Sequence, residues 1–378
     1  MSDSSTPAPS SESGLGPGPE PERQSEAEEL AERVAGATMA CYELLSIYLG
    51  DRLGWYRALA AGHGMTGAEL AAATVTAERY AREWLEQQAA AGFLTASEDE
   101  DAPSRRYGLT TAAAEVLTDP SSLLFSAPLA RMVAASAKVL PELLDAYRAG
   151  GGVPWDRLGD DARQAQADVN RPWFERALPG ALAGVPELQA VLTAPAARIA
   201  DVGCGAGWST VSLARSYPSA ELDGYDLDAP SIAAARGNAE AAGVGDRVSF
   251  EIADAALLEG EDVYDAAFVF EALHDMPHPV EVLTALHRVV RADGAVVIMD
   301  EGVDERFASP ASEVDRLMYG YSLFVCLPDS MSTPGSAATG TVMRPATLRR
   351  YAREAGFRDV EILPISDFGS FRFYRLLH

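Results

Sequence analysis

Apolar residues recur near helical spacing from residue 26 onward, at Leu30, Val34, Met39, Leu44, Leu45 and Leu49, and Gly50 is expected to end that run. A short helix is predicted over 53–59. Thr66 and Thr76 are placed as caps of two further helices, since their hydroxyls can accept the unpaired N–H groups of a first turn. The second of these passes through Trp84 and Leu85 to Gly92. Residues 92–95 and 105–110 flank an acidic loop and read as a β-hairpin. Helices rich in Leu, Met and Ala follow over 120–147. The period then changes. Short apolar runs at 199–202, 220–226, 248–254, 264–270 and 295–299 alternate with helical stretches, the pattern of a parallel sheet covered on both faces. A helix containing Arg316 to Phe324, another beginning near Thr347, and strands at 359–364 and 370–376 complete the chain.

Helix, helix, helix and hairpin in that order is the winged-helix plan, and such folds often read DNA. The helix that would enter a groove carries Glu78, Arg79, Arg82, Glu83 and Glu86, and the hairpin loop carries Glu98, Asp99, Glu100 and Asp101. Mixed or negative charge on both elements argues against phosphate contact. Composition points the same way: the 378 residues carry a formal net charge of −26, which disfavours nucleic acid and anionic membrane surfaces as partners. The length suits two domains of ~150 residues each. Hydrophobic content of 48% and charged content of 23% are ordinary for a soluble globular protein. Three separated cysteines, Cys41, Cys204 and Cys326, form no disulfide or zinc pattern, and neither a secretory signal nor a membrane-spanning run is visible, so a cytoplasmic setting is expected. Residues 1–27, rich in Ser, Pro, Gly and Glu, are expected to be a disordered tail.

The chemistry centres on residues 198–207. A buried strand there runs into a turn with glycines at Gly203, Gly205 and Gly207, and a helix follows. The spacing is G-x-G-x-G, not the G-x-G-x-x-G of dinucleotide sites, and Asp201 stands two residues before the first glycine. Asp226 closes the next strand about 20 residues on, where a ribose diol needs a carboxylate, and Asp254 closes the one after. Asp201 has a second reading, as a residue that orients the loop by hydrogen bonding.

With these residues the chain resembles the class I S-adenosylmethionine-dependent methyltransferases. The resemblance implies that Gly203, Gly205 and Gly207 face the amino-acid part of S-adenosylmethionine, that Asp226 with Leu227 holds the ribose, that Asp254 and Ala255 read the adenine, and that Asp201 and Glu271 complete the cofactor site. A winged helix ahead of such a domain is similar to the plant-type and bacterial natural-product O-methyltransferases, in which that module builds a homodimer. From about Glu28 to the C-terminus the chain is most similar to an actinobacterial winged-helix set. The expected architecture is α/β: a Rossmann-like seven-stranded methyltransferase domain (179–378) preceded by a mostly helical winged-helix dimerisation domain (28–118) and a helical linker and substrate lid (119–178).

Between the domains, Trp155, Asn170, Trp173 and Phe174 are placed as candidate walls of an acceptor pocket, with Tyr319 and Phe324 from the later helix. The alternative for each aromatic is ordinary packing. His274, just past the fourth strand, faces the place where an acceptor must meet the methyl group. An imidazole with a pKa near ~6.5 can take a proton from a phenol as the methyl arrives. Plant-type relatives carry a His-Asp-Trp segment here, matched as His274 and Asp275 with Met276 in place of Trp, and the resemblance implies that His274 is the catalytic base. Asp300 or Glu301 is its candidate acidic partner. The other role for His274 is structural. A metal on His274, Asp275 and His278 is weighed against, since Pro277 interrupts the turn and no other ligand cluster is in view. The expected function is methylation of a small aromatic or polyketide-like molecule, first on oxygen. Methylation of an electron-rich carbon, such as an indole or enol, or of nitrogen, and a cofactor-binding regulator stand as the alternatives.

Overall fold

The structure, a computed structural model, describes residues 20–378 apart from 63, 99, 100 and 102. Most of the expected tail, residues 1–19, and Asp99 and Glu100 of the hairpin loop lie outside the described residues. The first helix, Glu20–Arg52, begins before the expected end of the tail and does not stop at Gly50. A Cβ on Gly50 would lie 2.3 Å from the Trp84 ring and 2.6 Å from that of Tyr56. Glycine therefore serves close approach of two aromatic rings to the helix backbone instead of ending it.

Helices Trp55–Ala60, Gly67–Thr74 and Glu78–Ala90 lead into strands β1 (Leu94–Ala96) and β2 (Tyr107–Leu109), which pair antiparallel with Leu94 opposite Leu109. Thr66 caps as expected: its side chain accepts from the Glu69 N–H, and the Glu69 carboxylate answers with the Thr66 N–H. Thr76 does not cap. Ala77 occupies that position, and the Thr76 hydroxyl instead accepts from Trp55 Nε1 at 3.2 Å. Trp55, Tyr56, Leu59, Leu70, Trp84 and Leu85 form the core of this unit.

Helices Ala127–Lys138, Leu140–Ala149 and Gly159–Pro172 follow. The larger sheet is built from β3 (Arg198–Val202), β4 (Glu221–Asp226), β5 (Val248–Ile252), β6 (Tyr264–Phe270), β7 (Val290–Glu301), β8 (Asp359–Ile362) and β9 (Phe371–Leu377). Its order is β5-β4-β3-β6-β7-β9-β8, parallel from β5 to β7 and antiparallel at β9. The continuous apolar runs divide by the two-residue period of a strand: Ile199, Phe268, Phe270, Val297 and Met299 enter one core, while Ala200, Val202, Val269, Val296 and Ile298 enter the other. Burial on both faces leaves the carboxyl ends of the parallel strands as the place for chemistry.

Helix Gly159–Pro172 straps the two parts together. Arg131 bridges Asp51 of the first helix and Asp168 of the strap, and Arg163 makes a two-pronged pair with Asp228 at the end of β4, at 2.8 and 2.9 Å. Among the described residues no helix is long and apolar enough to cross a membrane.

Candidate active site

β3 delivers the glycine loop to the carboxyl edge of the sheet. Asp201 is fully buried, and its Oδ2 accepts from Ser209 Oγ and Thr210 Oγ1, each at 2.6 Å. It thereby fixes the first turn of helix Trp208–Ser216 immediately after the loop. Burial pushes the Asp201 carboxyl up to about 6, although the two hydroxyls pull it down. All three loop glycines have positive φ, at 72° for Gly203, 51° for Gly205 and 76° for Gly207. Their surroundings differ. A Cβ on Gly203 would meet that of Ala272 at 2.6 Å, and one on Gly207 would meet Phe250 and Ala235 at 2.8 and 2.9 Å, whereas one on Gly205 would meet nothing within 4 Å. Packing accounts for the outer two glycines; the middle one presents bare backbone to open space.

Asp226 ends β4 beside that opening. Its Oδ2 accepts from the Gly205 N–H and its Oδ1 from the Asp228 N–H, both at 2.8 Å, and burial raises its pKa. Leu227 next to it is exposed, at 63%. After β5, Asp254 caps the short turn Ala255–Leu257 by accepting from the Ala256 N–H at 2.9 Å, and Ala255 is buried.

β6 carries the second half of the site. Glu271 follows it in the left-handed region, at φ 52°, a conformation that non-glycine residues seldom adopt. Its N–H donates to the Met299 carbonyl at 2.7 Å, and its Oε2 accepts from Asn170 Nδ2 on the strap helix at 2.6 Å. Burial pushes the Glu271 carboxyl up to about 7 against the downward pull of Asn170, His274 and Gln166. His274 is 1% exposed. Its Nδ1 lies 3.0 Å from Asp300 Oδ1 and 3.2 Å from Glu301 Oε2, both at the end of β7, and its Nε2 lies 3.3 Å from Asp275 Oδ1. Burial disfavours a proton on this imidazole, but Asp275, Asp300 and Glu301 together outweigh it and hold the pKa well above the ordinary value. Asp300 is correspondingly held below the usual carboxylate range, while burial raises Glu301.

The two candidate partners of His274 are thus both against it. Three more groups that sequence reasoning did not assign join the cleft: Cys326, whose thiol hydrogen-bonds Asp275; Tyr321, pushed up to about 12 by burial; and Asp329, pushed up to about 7 by burial. The fold, not local sequence spacing, brings these three residues of the 313–331 helical segment to the turn after β6. Trp155 reaches the same place through its backbone, donating its N–H to Asp329 Oδ1 at 2.7 Å.

The other pocket candidates are placed as follows. On the π-helical turn Trp173–Ala177, half-buried Trp173 lies 5.4 Å from Phe368 with the rings tilted by 54°, and buried Phe174 packs at 5.5 Å on Phe270 within a core cluster. Tyr319 accepts from Arg344 Nη2 at 3.3 Å, and Phe324 is 43% exposed. The structure also assembles ligand-like sets that sequence spacing did not reveal. Donor atoms of His274, Asp300 and Glu301, and separately of His274, Asp275 and Cys326, lie within 4.8 Å of one another; His278 belongs to neither.

Residues 194–339 match the family described as "Methyltransferase domain", and residues 40–119 match the "Rv2258c-like winged HTH domain". A methyltransferase of Streptomyces halstedii, GfsG, is 34% identical over 104 residues, which cover 27% of this chain and 37% of that protein. The matches to the first curated relatives span 22% to 47% of those proteins' lengths. The solved structure of the mitomycin 7-O-methyltransferase MmcR superposes with a TM-score of 0.70 at 19% identity, covering 94% of this chain and 99% of that one. Human N-acetylserotonin methyltransferase, solved with its SAM cofactor, gives 0.63 at 19% identity over 93% and 97%. These structural likenesses are likenesses of fold.

Proposed function

We propose that this chain, which carries a methyltransferase domain behind a winged helix-turn-helix domain, transfers a methyl group from S-adenosylmethionine to a hydroxyl of a small aromatic or polyketide-like molecule. The observation that carries the reading is the pairing of an open glycine backbone at Gly205 with a His274–Asp300 pair across the same carboxyl edge of the sheet. The residues fit the cofactor. Gly205 leaves room for a ligand against the backbone, Asp226 offers a carboxylate for a diol, and Asp254 with Ala255 borders the edge beyond β5. Glu271, held by Asn170, stands where an ammonium group would find an acceptor.

When bound, S-adenosylmethionine supplies a methyl carbon on positively charged sulfur, and the chain's task is alignment and proton removal. Asp300 accepts from His274 Nδ1 and fixes the ring, so that Nε2, which rests 3.3 Å from Asp275 Oδ1, is the nitrogen read as taking the acceptor's proton. The surrounding carboxylates keep a proton on the resting imidazole; positive charge entering the cleft weakens that hold and makes Nε2 available as a base. Trp155, Asn170, Tyr319 and Phe324 are kept as candidate acceptor contacts and Tyr321 is added, while Phe174, in the core, and half-buried Trp173, packed against it, are read here as packing residues.

The winged-helix unit is read as a dimerisation module in a cytoplasmic enzyme. Arg79 pairs with Glu83 and Arg82 with Glu78 within the would-be reading helix, so neither guanidinium is committed to phosphate. A second reading, direct attack by carbon or nitrogen, draws support from the proton that the carboxylates hold on His274. The test is incubation with methyl-labelled cofactor and a panel of phenols, enols and indoles, with products located by mass spectrometry and NMR. Labelled methyl ethers support O-methylation; label on carbon or nitrogen alone contradicts it.

A further inference from the structure

Helix Gly159–Pro172 is polar on two sides. The residues it buries are Asp161, Ala162, Ala165 and Pro172, too little apolar surface to fix it by packing alone, and a helix of that kind keeps its place by polar contacts with the parts it bridges. Arg163, Gln166 and Asn170 stand at i, i+3 and i+7 and share one face. Asp161, Gln164 and Asp168 repeat that spacing two residues earlier, a rotation of about 200° that puts them on the opposite face.

The two faces meet different parts of the molecule. On one, Asp161 accepts from Tyr48 Oη at 2.9 Å and pairs with Arg52 and Lys138, Gln164 accepts from Arg52 at 2.9 Å, and Asp168 pairs with Arg131. These partners all belong to helices Glu20–Arg52 and Ala127–Lys138. On the other, Arg163 holds Asp228 after β4, Asn170 Nδ2 donates to Glu271 Oε2 after β6 at 2.6 Å, and Gln166 hydrogen-bonds the same carboxylate. Arg171, beside Asn170, lays its guanidinium 3.9 Å over the ring of Trp208, which follows Gly207. One helix thus reaches the segments after β3, β4 and β6, where Gly205, Asp228 and Glu271 stand. At Glu271 this bears on binding. Its backbone is left-handed and burial disfavours its charge, so the two amide side chains are what favour the ionised carboxylate and fix where it points.

We infer that Asn170 and Gln166 are positioning residues for the amino-acid end of the cofactor, acting through Glu271, and that the N-terminal helices set their register by holding Asp161 and Asp168. The inference rests on the reading of Glu271 as acceptor of the cofactor's ammonium group. It gives the N-terminal part of the chain a role in cofactor binding besides the dimer contact proposed for it.

Methylthioadenosine keeps the adenosine and thioether of S-adenosylhomocysteine without the amino-acid end, so the two ligands together read that end alone. Both are titrated calorimetrically into the full chain and into Asn170→Leu and Asp168→Asn, with the thermal transition of each recorded. The wild-type chain is expected to bind S-adenosylhomocysteine the more tightly. Asn170→Leu is expected to weaken S-adenosylhomocysteine by about tenfold or more and methylthioadenosine by less than about twofold, and Asp168→Asn to produce the same selective loss at about threefold or more. If Asn170→Leu does not fold, Gln166→Leu is expected to give the selective loss at about threefold or more. Equal weakening of both ligands in the Asn170 variant, the mark of a merely structural role, overturns the inference, and so does unchanged affinity for both. An unchanged ratio in Asp168→Asn overturns the role given to the N-terminal helices. A wild-type chain that binds both ligands equally keeps its cofactor but loses Glu271 as the ammonium partner, and this inference with it; a wild-type chain that binds neither sinks the cofactor reading itself.

Discussion

Glu271 meets three demands at once: a left-handed backbone, a hydrogen bond from Asn170 across the interdomain cleft, and a carboxyl pushed by burial to about 7. Such a combination is retained where a site needs it. It has a measurable consequence. Glu271 and Asp329 both have folded-state pKa values raised to about 7, against ~4 for exposed carboxyls. Their contribution to stability is therefore complete below about pH 4 and lost as pH rises through about 7. Thermal unfolding of the ligand-free chain is expected to shift to lower temperature between pH 5.5 and 8, and Glu271→Gln is expected to reduce that shift; an unchanged shift would contradict the assignment. At His274, replacement by Ala is expected to slow transfer to a hydroxyl by ~10² or more while sparing cofactor affinity. Turnover near the wild-type rate would favour direct attack by the acceptor. The sequence showed Gly203, Gly205, Gly207, Asp226 and His274 because strand, turn and acid follow one another locally. It did not show Cys326 beside His274 or Asp329 near Asp275, since both reach the site from another part of the chain.

At the scale of elements, local signals read correctly where local physics decides. Thr66 with Glu69 forms the expected capping box, and the apolar runs of the sheet became strands. They misled where packing decides. Gly50 lies inside a helix because Trp84 and Tyr56 crowd its backbone. Gly50→Ala is accordingly expected to destabilise the winged-helix unit by about 1 to 3 kcal/mol, despite alanine's better helix propensity, a change readable by denaturant unfolding. A stabilised variant would mean that the rings move aside freely. The strap helix Gly159–Pro172 makes a second case. Arg163 braces Asp228, whose N–H orients Asp226, so Arg163→Gln is expected to weaken cofactor binding several-fold without changing the proton-transfer step.

For the whole molecule, the first helix leaves Leu30, Val34, Met39 and Tyr42 exposed at 57%, 68%, 62% and 68%. The apolar spacing that predicts a helix there does not bury it within this chain, and a second copy is the proposed cover. Val34→Glu combined with Met39→Glu is expected to convert a dimer to folded monomer in sedimentation velocity; a wild-type monomer would contradict the dimer proposal. The formal charge of −26 is the ground for proposing that nucleic acid is not a partner. Everything proposed for the acceptor, however, depends on the cofactor end of the sheet. The most direct measurement is calorimetric titration of the purified chain with S-adenosylmethionine and S-adenosylhomocysteine, beside Asp226→Asn. Micromolar binding of both, weakened at least tenfold or ~1.4 kcal/mol in the variant, is the predicted result. No binding of either molecule to the wild-type chain would contradict the account at its centre.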